Sequence, residues 1–452
     1  MTDLLPSTAR RLLPLAAAAQ RDGRLPSLVV GVVRDGGLAW SCGLGSVEGR
    51  EPGTDVQYRL GSITKSLVAV AVMRLRDEGL LGLDDPFERH VPGTPYGERT
   101  VGQLLAHGAG LRAEAPGPWW ERTPGPAWPE LAGQLRPSDV PHGAGRRFHY
   151  SNLGFGSLGE LLGRLRGRPW LQVVTDEVLR PLGMHRTTAR PQAPAARGWA
   201  VHPHADLLLP EPEEDAGALG PAGQLWSTLA DLGRFGAFLL GDAGDVLAAD
   251  TLSEMQLAAG VDTTGEQWSA YALGLQVLQV GGRTLVGHGG SMPGFLAGVT
   301  VDPAEDAGVV LMCNATTGLG SGIVGEVLDV VRSAEPRVVA PWTPATSVDP
   351  AVLPLLGTWW WGTSGYALRL GADGLLGLRG LGLPGRASRF RPNGDGSWTG
   401  LDGYHAGEAL RPVGDPPVAL DLGSFVFTRT AYDTAAPVPG GVDDGGWRPG
   451  PA

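Results

Sequence analysis

Glycine and proline together make up nearly one residue in four of this 452-residue chain, 71 and 38 of them respectively. Glycine weakens helix and strand interiors, and proline fixes φ and removes a backbone donor, so such a chain cannot be built from long uninterrupted elements. It must turn often. Hydrophobic residues at 42%, charged residues at 18% and a mean hydropathy of −0.02 still supply apolar material for packed cores, unlike a disordered or fibrous chain. At 47.1 kDa the chain exceeds what one core usually organises. One large domain and a smaller one are therefore expected.

A net charge of −11 argues against nucleic acid or an anionic membrane as partner, since nothing would neutralise phosphates. No apolar run is long enough to read as a transmembrane helix. Near the start, Arg10-Arg11 followed by Leu12 to Ala19 has the outline of a signal peptide, with Ala16 and Ala18 imitating a cleavage site. Its apolar stretch is short and contains Pro14. The better reading is a helix packed on the hairpin that follows, residues 27–33 and 38–45 around Asp35-Gly36-Gly37, in a cytoplasmic protein. Cys42 and Cys313 form neither a disulfide framework nor a metal site and read as core residues.

Lysine usage is the sharpest clue to chemistry. Of 36 basic residues only Lys65 is a lysine, and the rest are arginine. A composition that uses arginine wherever charge alone matters leaves lysine where arginine cannot serve. Arginine does not lose its proton in a protein, whereas a buried lysine can have its pKa lowered and act as a base. Ser62 stands three residues earlier, and Leu67, Val68, Ala71, Val72 and Leu75 continue as a buried helix that Gly79 closes. Positions i and i+3 share a helix face, so hydroxyl and amine can meet at the first turn, where the helix dipole also favours negative charge. The plainer alternative makes Ser62 an N-cap and Lys65 a solvated charge. Two further elements weigh against it: Tyr150-Ser151-Asn152 ahead of a second helical pattern, and His288-Gly289-Gly290-Ser291 after a strand-like run.

SITK, YSN and HGG, in this order, resemble the signatures of the serine β-lactamase and penicillin-binding-protein superfamily, S-x-x-K, [YS]-x-N and [KH]-[TSG]-G. The resemblance spans residues 1 to about 335 and includes PLGM (181–184) and HGGSMPGF (288–295). It implies an α/β fold, an antiparallel sheet flanked by helices with an all-helical lobe. It also implies Ser62 as nucleophile, Lys65 as its base, and Tyr150 as a proton relay made acidic by Lys65 and His288. Asn152 would offer its amide to the acyl substrate. His288, in a place where many relatives carry lysine, would make activity sensitive to pH near neutrality. Backbone N–H groups of Ser62 and Ser291 would form the oxyanion hole, with Gly289 and Gly290 beside the substrate. No metal or organic cofactor is implied.

Other candidates read as structure. His107 looks like a helix-end histidine, Asp84-Asp85 like a turn, and His202, His204 and Asp206 like a surface loop rather than a metal site. Trp119, Trp120 and Trp128 lie in a Pro/Gly-rich stretch, where an aromatic wall for a hydrophobic peptide and simple loop packing are both open.

The expected boundaries are a serine acyltransferase domain over 1–335, a Pro-rich linker over 336–350, a lipocalin-like antiparallel β domain over 351–432 and a tail over 433–452. The β domain rests on Trp359-Trp360-Trp361, short apolar runs and Gly/Asp-rich turns, which suggest seven or eight strands in a small barrel. In the tail, Arg448 is a candidate for meeting a substrate carboxylate.

This pairing of domains resembles the penicillin-binding-protein-type thioesterases of nonribosomal peptide assembly. The resemblance implies transfer of a peptidyl thioester, presented by a carrier protein, onto Ser62. Release then follows as a head-to-tail macrolactam, with a D-configured residue at the acyl end. A cytoplasmic esterase or D-stereospecific peptidase of the same fold is the alternative, followed by a DD-carboxypeptidase or β-lactamase and, last, a non-catalytic binding module.

Overall fold

The computed structural model describes residues 3–263, 269–337, 341–382, 386–423 and 425–431. The chain divides into two compact units, Met1–Arg337 and Val338–Ala452. The first unit starts from the hairpin at Asp35-Gly36, where φ values of +50° and +77° provide the two positive-φ positions of a tight turn. Strands Ser27–Arg34 and Gly37–Gly45 flank it.

These two strands form one edge of an eight-stranded sheet whose members are antiparallel throughout. From Ser27–Arg34 the order continues through Ala307–Cys313, Phe295–Asp302, Arg283–Met292, Gln276–Val280, Ser269–Tyr271 and Gly260–Asp262. Side chains alternate across it as strand geometry requires. Leu28, Val30 and Val32 share a core with helices Pro6–Asp22 and Ile323–Ala334, while Val29 and Val33 face helix Leu229–Leu239 and the lobe beyond. The segment Arg10 to Ala19 is thus part of a packed helix, with Leu12 and Ala16 buried and Pro14 on its exposed side.

Helix Ile63–Asp77 runs through the helical lobe with its apolar residues fully buried, beside helix Asn152–Arg166. Every residue from Ile63 to Met73 is buried, so the helix is covered on all faces until its last turn. Burial pushes the Cys42 thiol up to about 12 and the Cys313 thiol to about 11. Both are free and in the unreactive thiol form. Among the described residues no helix is long and apolar enough to cross a membrane.

The second unit is a closed barrel of eight antiparallel strands, from Gly357–Trp361 to Phe425–Thr428, sealed by the pairing of Trp360 with Thr428. Alternation again sorts the side chains. Trp359 is buried in the interior with Leu368, Leu378 and Phe390, and Trp361 is exposed. The Trp359 indole N–H donates to the Leu355 carbonyl at 2.7 Å, and the Arg429 guanidinium lies 3.6 Å from its ring centre. The barrel interior is a packed core rather than a hollow.

Candidate active site

The chain enters the nucleophile helix from strand Gln57–Arg59, which pairs with Trp226–Thr228. At Gly61, φ is +56°, and a Cβ there would sit 2.5 Å from the Ser291 backbone nitrogen. Only glycine allows both the turn and this approach. Ser62 follows as the N-cap, so its hydroxyl and backbone N–H lie at the positive end of the helix.

One turn on, Lys65 is fully buried, and its ammonium donates to Ser62 Oγ at 2.9 Å and to the Ala222 carbonyl at 2.7 Å. Burial lowers its pKa from 10.5 to about 7, against the upward pull of the Glu114 and Glu121 carboxylates. A large fraction of Lys65 is therefore neutral near pH 7 and able to take the Ser62 proton.

Tyr150 covers the other side of the amine, its ring centre 4.9 Å from Lys65 Nζ. Burial holds its phenol well above the ordinary range, although a hydrogen bond with Ser62 pulls the other way. The expectation of an acidified Tyr150 is therefore corrected: it rests as a neutral phenol. His107 fixes the turn that carries it. The His107 Nδ1 accepts the Ser151 backbone N–H at 3.1 Å, and its ring packs 4.2 Å from that of Tyr150 and 4.4 Å from that of Tyr271. Ser151 caps the following helix by accepting the Gly154 N–H.

His288 also differs from expectation. It is buried, and its Nε2 lies 2.9 Å from the Tyr271 hydroxyl while Nδ1 lies 2.5 Å from the Gly289 carbonyl. A carbonyl can only accept, so Nδ1 carries the proton and Nε2 accepts from Tyr271. Burial first, and the nearby Lys65 second, lower the pKa of His288 to about 3. It stays neutral across the physiological range and is no switch near neutrality. The group that titrates there is Lys65.

The candidate oxyanion donors follow from strand register. Strand Arg283–Met292 pairs with Gln276–Val280 only as far as Gly287, which leaves one edge open from His288 onward. Along that edge the Gly289 N–H donates to Gln276 Oε1 at 3.0 Å. Backbone N–H groups point to the same edge every second residue, so the Ser291 N–H faces it too, beside Gly61. A Cβ on Gly290 would meet the Leu60 carbonyl at 1.8 Å. Glycine at that position lets the strand close on the helix N-terminus beside the Ser62 backbone nitrogen.

Asn152 is buried, and its Nδ2 donates to both Glu114 oxygens, at 2.9 and 3.0 Å. The amide expected to hold the acyl substrate is thus engaged by Glu114 in this structure. Trp120 is buried, donates its indole N–H to Glu114 at 2.7 Å, and lies beside Gly61 and Met292 across Gly223. Trp119 is 60% exposed and donates to Glu121. Of the two, Trp120 rather than Trp119 packs on Gly223 beside Gly61. A pocket of about 220 Å³ extends from Trp120 along Pro116, Pro118, Pro126 and Leu131. Arg448 lies outside the described residues. Asp206 is engaged by Arg24 at 2.8 Å, so the His202–Asp206 loop is tied structurally.

Sequence reasoning missed Tyr271, Gln276 and Glu114. No motif marks them; each acquires its place from register or from a loop folding back.

Comparison with known proteins gives consistent matches. The family model described as Beta-lactamase matches residues 14–330, and one described as a domain of unknown function (DUF7586) matches residues 348–429. Penicillin-binding protein 4 of Amycolatopsis lactamdurans is 27% identical over 376 residues, 76% of this chain and 92% of that protein. The D-stereospecific amidohydrolase from Streptomyces sp. is 25% identical with a TM-score of 0.58, over 74% of this chain and 99% of the other. The structure of SurE with D-Leu has 23% identity and a TM-score of 0.58, over 94% of this chain and 100% of the other.

Proposed function

Because the chain belongs to the beta-lactamase family of serine hydrolases, we propose that it is an acyl-enzyme thioesterase that cyclises peptides. It takes a peptidyl thioester, presented by a carrier protein, onto Ser62 and releases it as a head-to-tail macrolactam. The observation that carries the acyl-enzyme step is the buried Lys65 amine 2.9 Å from Ser62 Oγ with a pKa of about 7.

Neutral Lys65 takes the Ser62 proton as Oγ attacks the thioester carbonyl. The developing oxyanion lies between the Ser62 and Ser291 N–H groups, a contribution of about 3–4 kcal/mol per donor. As the C–S bond breaks, the Tyr150 hydroxyl gives its proton to the leaving thiolate and regains one from the Lys65 ammonium. In the second half Lys65, again neutral, accepts a proton from the attacking amine of the same peptide. The ester bond to Ser62 breaks, and the Lys65 ammonium returns that proton to Ser62 Oγ, which leaves Lys65 neutral for the next cycle. An amine held close to the ester has an effective molarity that reaches about 10⁵ M or more, enough to outrun water.

The D-Leu in the SurE structure and the D-stereospecificity of the Streptomyces amidohydrolase support a D-configured residue at the acyl end. The amidohydrolase likeness also favours a second reading, release of the acid to water.

Product mass after incubation with a linear peptidyl thioester ending in a D-residue, with Ser62→Ala alongside, decides between the two. Cyclisation gives the mass of the linear acid less one water. The acid alone, formed in a Ser62-dependent way, establishes the hydrolase reading instead.

A further inference from the structure

The outer face of the barrel carries a groove of about 820 Å³ across the strands Ser364–Leu370, Leu376–Gly380 and Ser388–Pro392. Leu368, Leu378 and Phe390 of these strands point into the barrel core, so the alternate positions Ala367, Arg369, Gly377, Arg379 and Arg389 face out. Register sets the arginines around a gap. Arg369 and Arg389 both pair with Gly377, one from each side, and Arg379 follows Gly377 by two positions. With neighbouring strands about 4.8 Å apart, the backbones at Arg369 and Arg389 stand about 10 Å apart across a position that has no side chain. A Cβ on Gly377 would meet nothing nearer than the Arg369 carbonyl at 4.0 Å, so the gap is open. Two carboxylates also line the groove. Asp402 pairs with Arg389 at 2.6 Å, and Asp373 accepts the Leu375 N–H at 3.1 Å. Among the described residues no carboxylate forms an ion pair with Arg369 or Arg379, and both are exposed. Leu381, 56% exposed, adds an apolar edge.

From this arrangement we infer that the outer face of the barrel docks an acidic protein surface, that of the carrier which presents the thioester. Its carboxylates pair with Arg369 and Arg379, and an apolar side chain rests against Leu381. The planar fork of arginine matches a carboxylate, and arginine beside exposed apolar surface is the make-up of a protein interface. A groove this open, spread over three strands, suits a protein surface better than a small anion, which needs a more enclosing site. The chain as a whole carries a net charge of −11 and repels an acidic partner, so a local excess of arginine decides where that partner lands. The inference rests on the carrier-borne thioester of the proposed function and adds the surface that holds the carrier.

The test compares one peptidyl group on an acidic peptidyl carrier domain with the same group on free pantetheine, using the full chain and the double variant Arg369→Glu with Arg379→Glu. Fluorescence anisotropy of the labelled carrier against Ser62→Ala, with and without the two arginine changes, reads affinity apart from turnover. The expected result is a fall of about tenfold or more in carrier affinity in the arginine variant, mirrored in KM for the carrier-borne thioester. Turnover of the pantetheine thioester stays unchanged, and added salt weakens carrier binding in the wild type alone. Absence of carrier binding to the wild type overturns the inference, as does equal affinity in the arginine variant. Arginine-dependent binding to phosphatidylglycerol vesicles without binding to the carrier assigns the face to a lipid surface and overturns it too. Turnover of the pantetheine thioester without arginine-dependent carrier binding removes the inference alone. Failure of both thioesters to acylate Ser62 in the folded wild type removes the proposed function together with the inference.

Discussion

The Tyr271 hydroxyl donates to Nε2 of His288 across 2.9 Å, and with Nδ1 given to the Gly289 carbonyl both imidazole nitrogens are occupied within the protein. The groups packed around this pair are Lys65, Tyr150 and His107, of which only Lys65 carries charge near neutrality. A histidine so placed shapes the site and lends no proton. In the proposed mechanism the acid–base chemistry falls to Lys65 and Tyr150.

The pH dependence of acylation follows. Lys65 acts as base only when neutral, so kcat/KM for Ser62 acylation rises with pH through about 7 and levels off above it. His288, at about 3, adds no inflection between pH 5 and 9. A stopped-flow pH profile with a neutral ester checks this, and a second ionisation near 6 that disappears in His288→Ala contradicts it.

Tyr271→Phe removes the donor to His288 and leaves a buried imidazole nitrogen unpaired. The cost in stability is about 1–3 kcal/mol. The Gly289 carbonyl still holds the Nδ1 proton, so the tautomer is kept and turnover falls by less than about threefold. Denaturant unfolding and steady-state kinetics on the same preparation measure both effects.

Gly290→Ala places a methyl where the Leu60 carbonyl already stands, with the Ser62 nitrogen 3.2 Å away. The strand must retreat from the helix N-terminus, and the two oxyanion donors separate. A loss of about 10²–10³ in kcat is expected, with native-like circular dichroism. Activity within threefold of wild type would mean the Ser291 N–H has no part in the hole.

Lys65 leaves a mark on stability as well. Its pKa falls on folding from 10.5 to about 7, so between those values the unfolded chain binds more protons and stability rises with pH. The penalty is complete below pH 7 and gone above 10.5. Lys65→Met lacks it and abolishes acylation. The stability advantage of the variant over wild type is therefore largest near pH 6 and shrinks toward pH 10. Parallel curves in a urea titration series would show that the amine keeps its ordinary pKa.

What could be read in advance was what local chemistry determines. Asp35-Gly36 announces its turn, and a three-residue spacing on a helix puts Ser62 under Lys65 whatever surrounds them. Tyr271 is different. It reaches His288 because Tyr271 pairs with Gln276, and Gln276 with Gly287, on three successive strands. Register of that kind is set by the whole sheet. Glu114 meets Asn152 only because the loop folds back over the helix start. The titration of His288 is likewise hidden in its letter: burial and the neighbouring amine decide it. In the second unit, turn residues gave the approximate strand number, but the pairing of Trp360 with Thr428 that closes the barrel has no local signature.

Intact-protein mass after brief exposure to the peptidyl thioester tests the account most directly. It predicts an adduct of one acyl group on the wild type, mapping to the peptide that contains Ser62 and absent from both Ser62→Ala and Lys65→Arg. The arginine variant fails because a guanidinium cannot give up its proton. An adduct that persists in Ser62→Ala, or full acylation of Lys65→Arg, would contradict it.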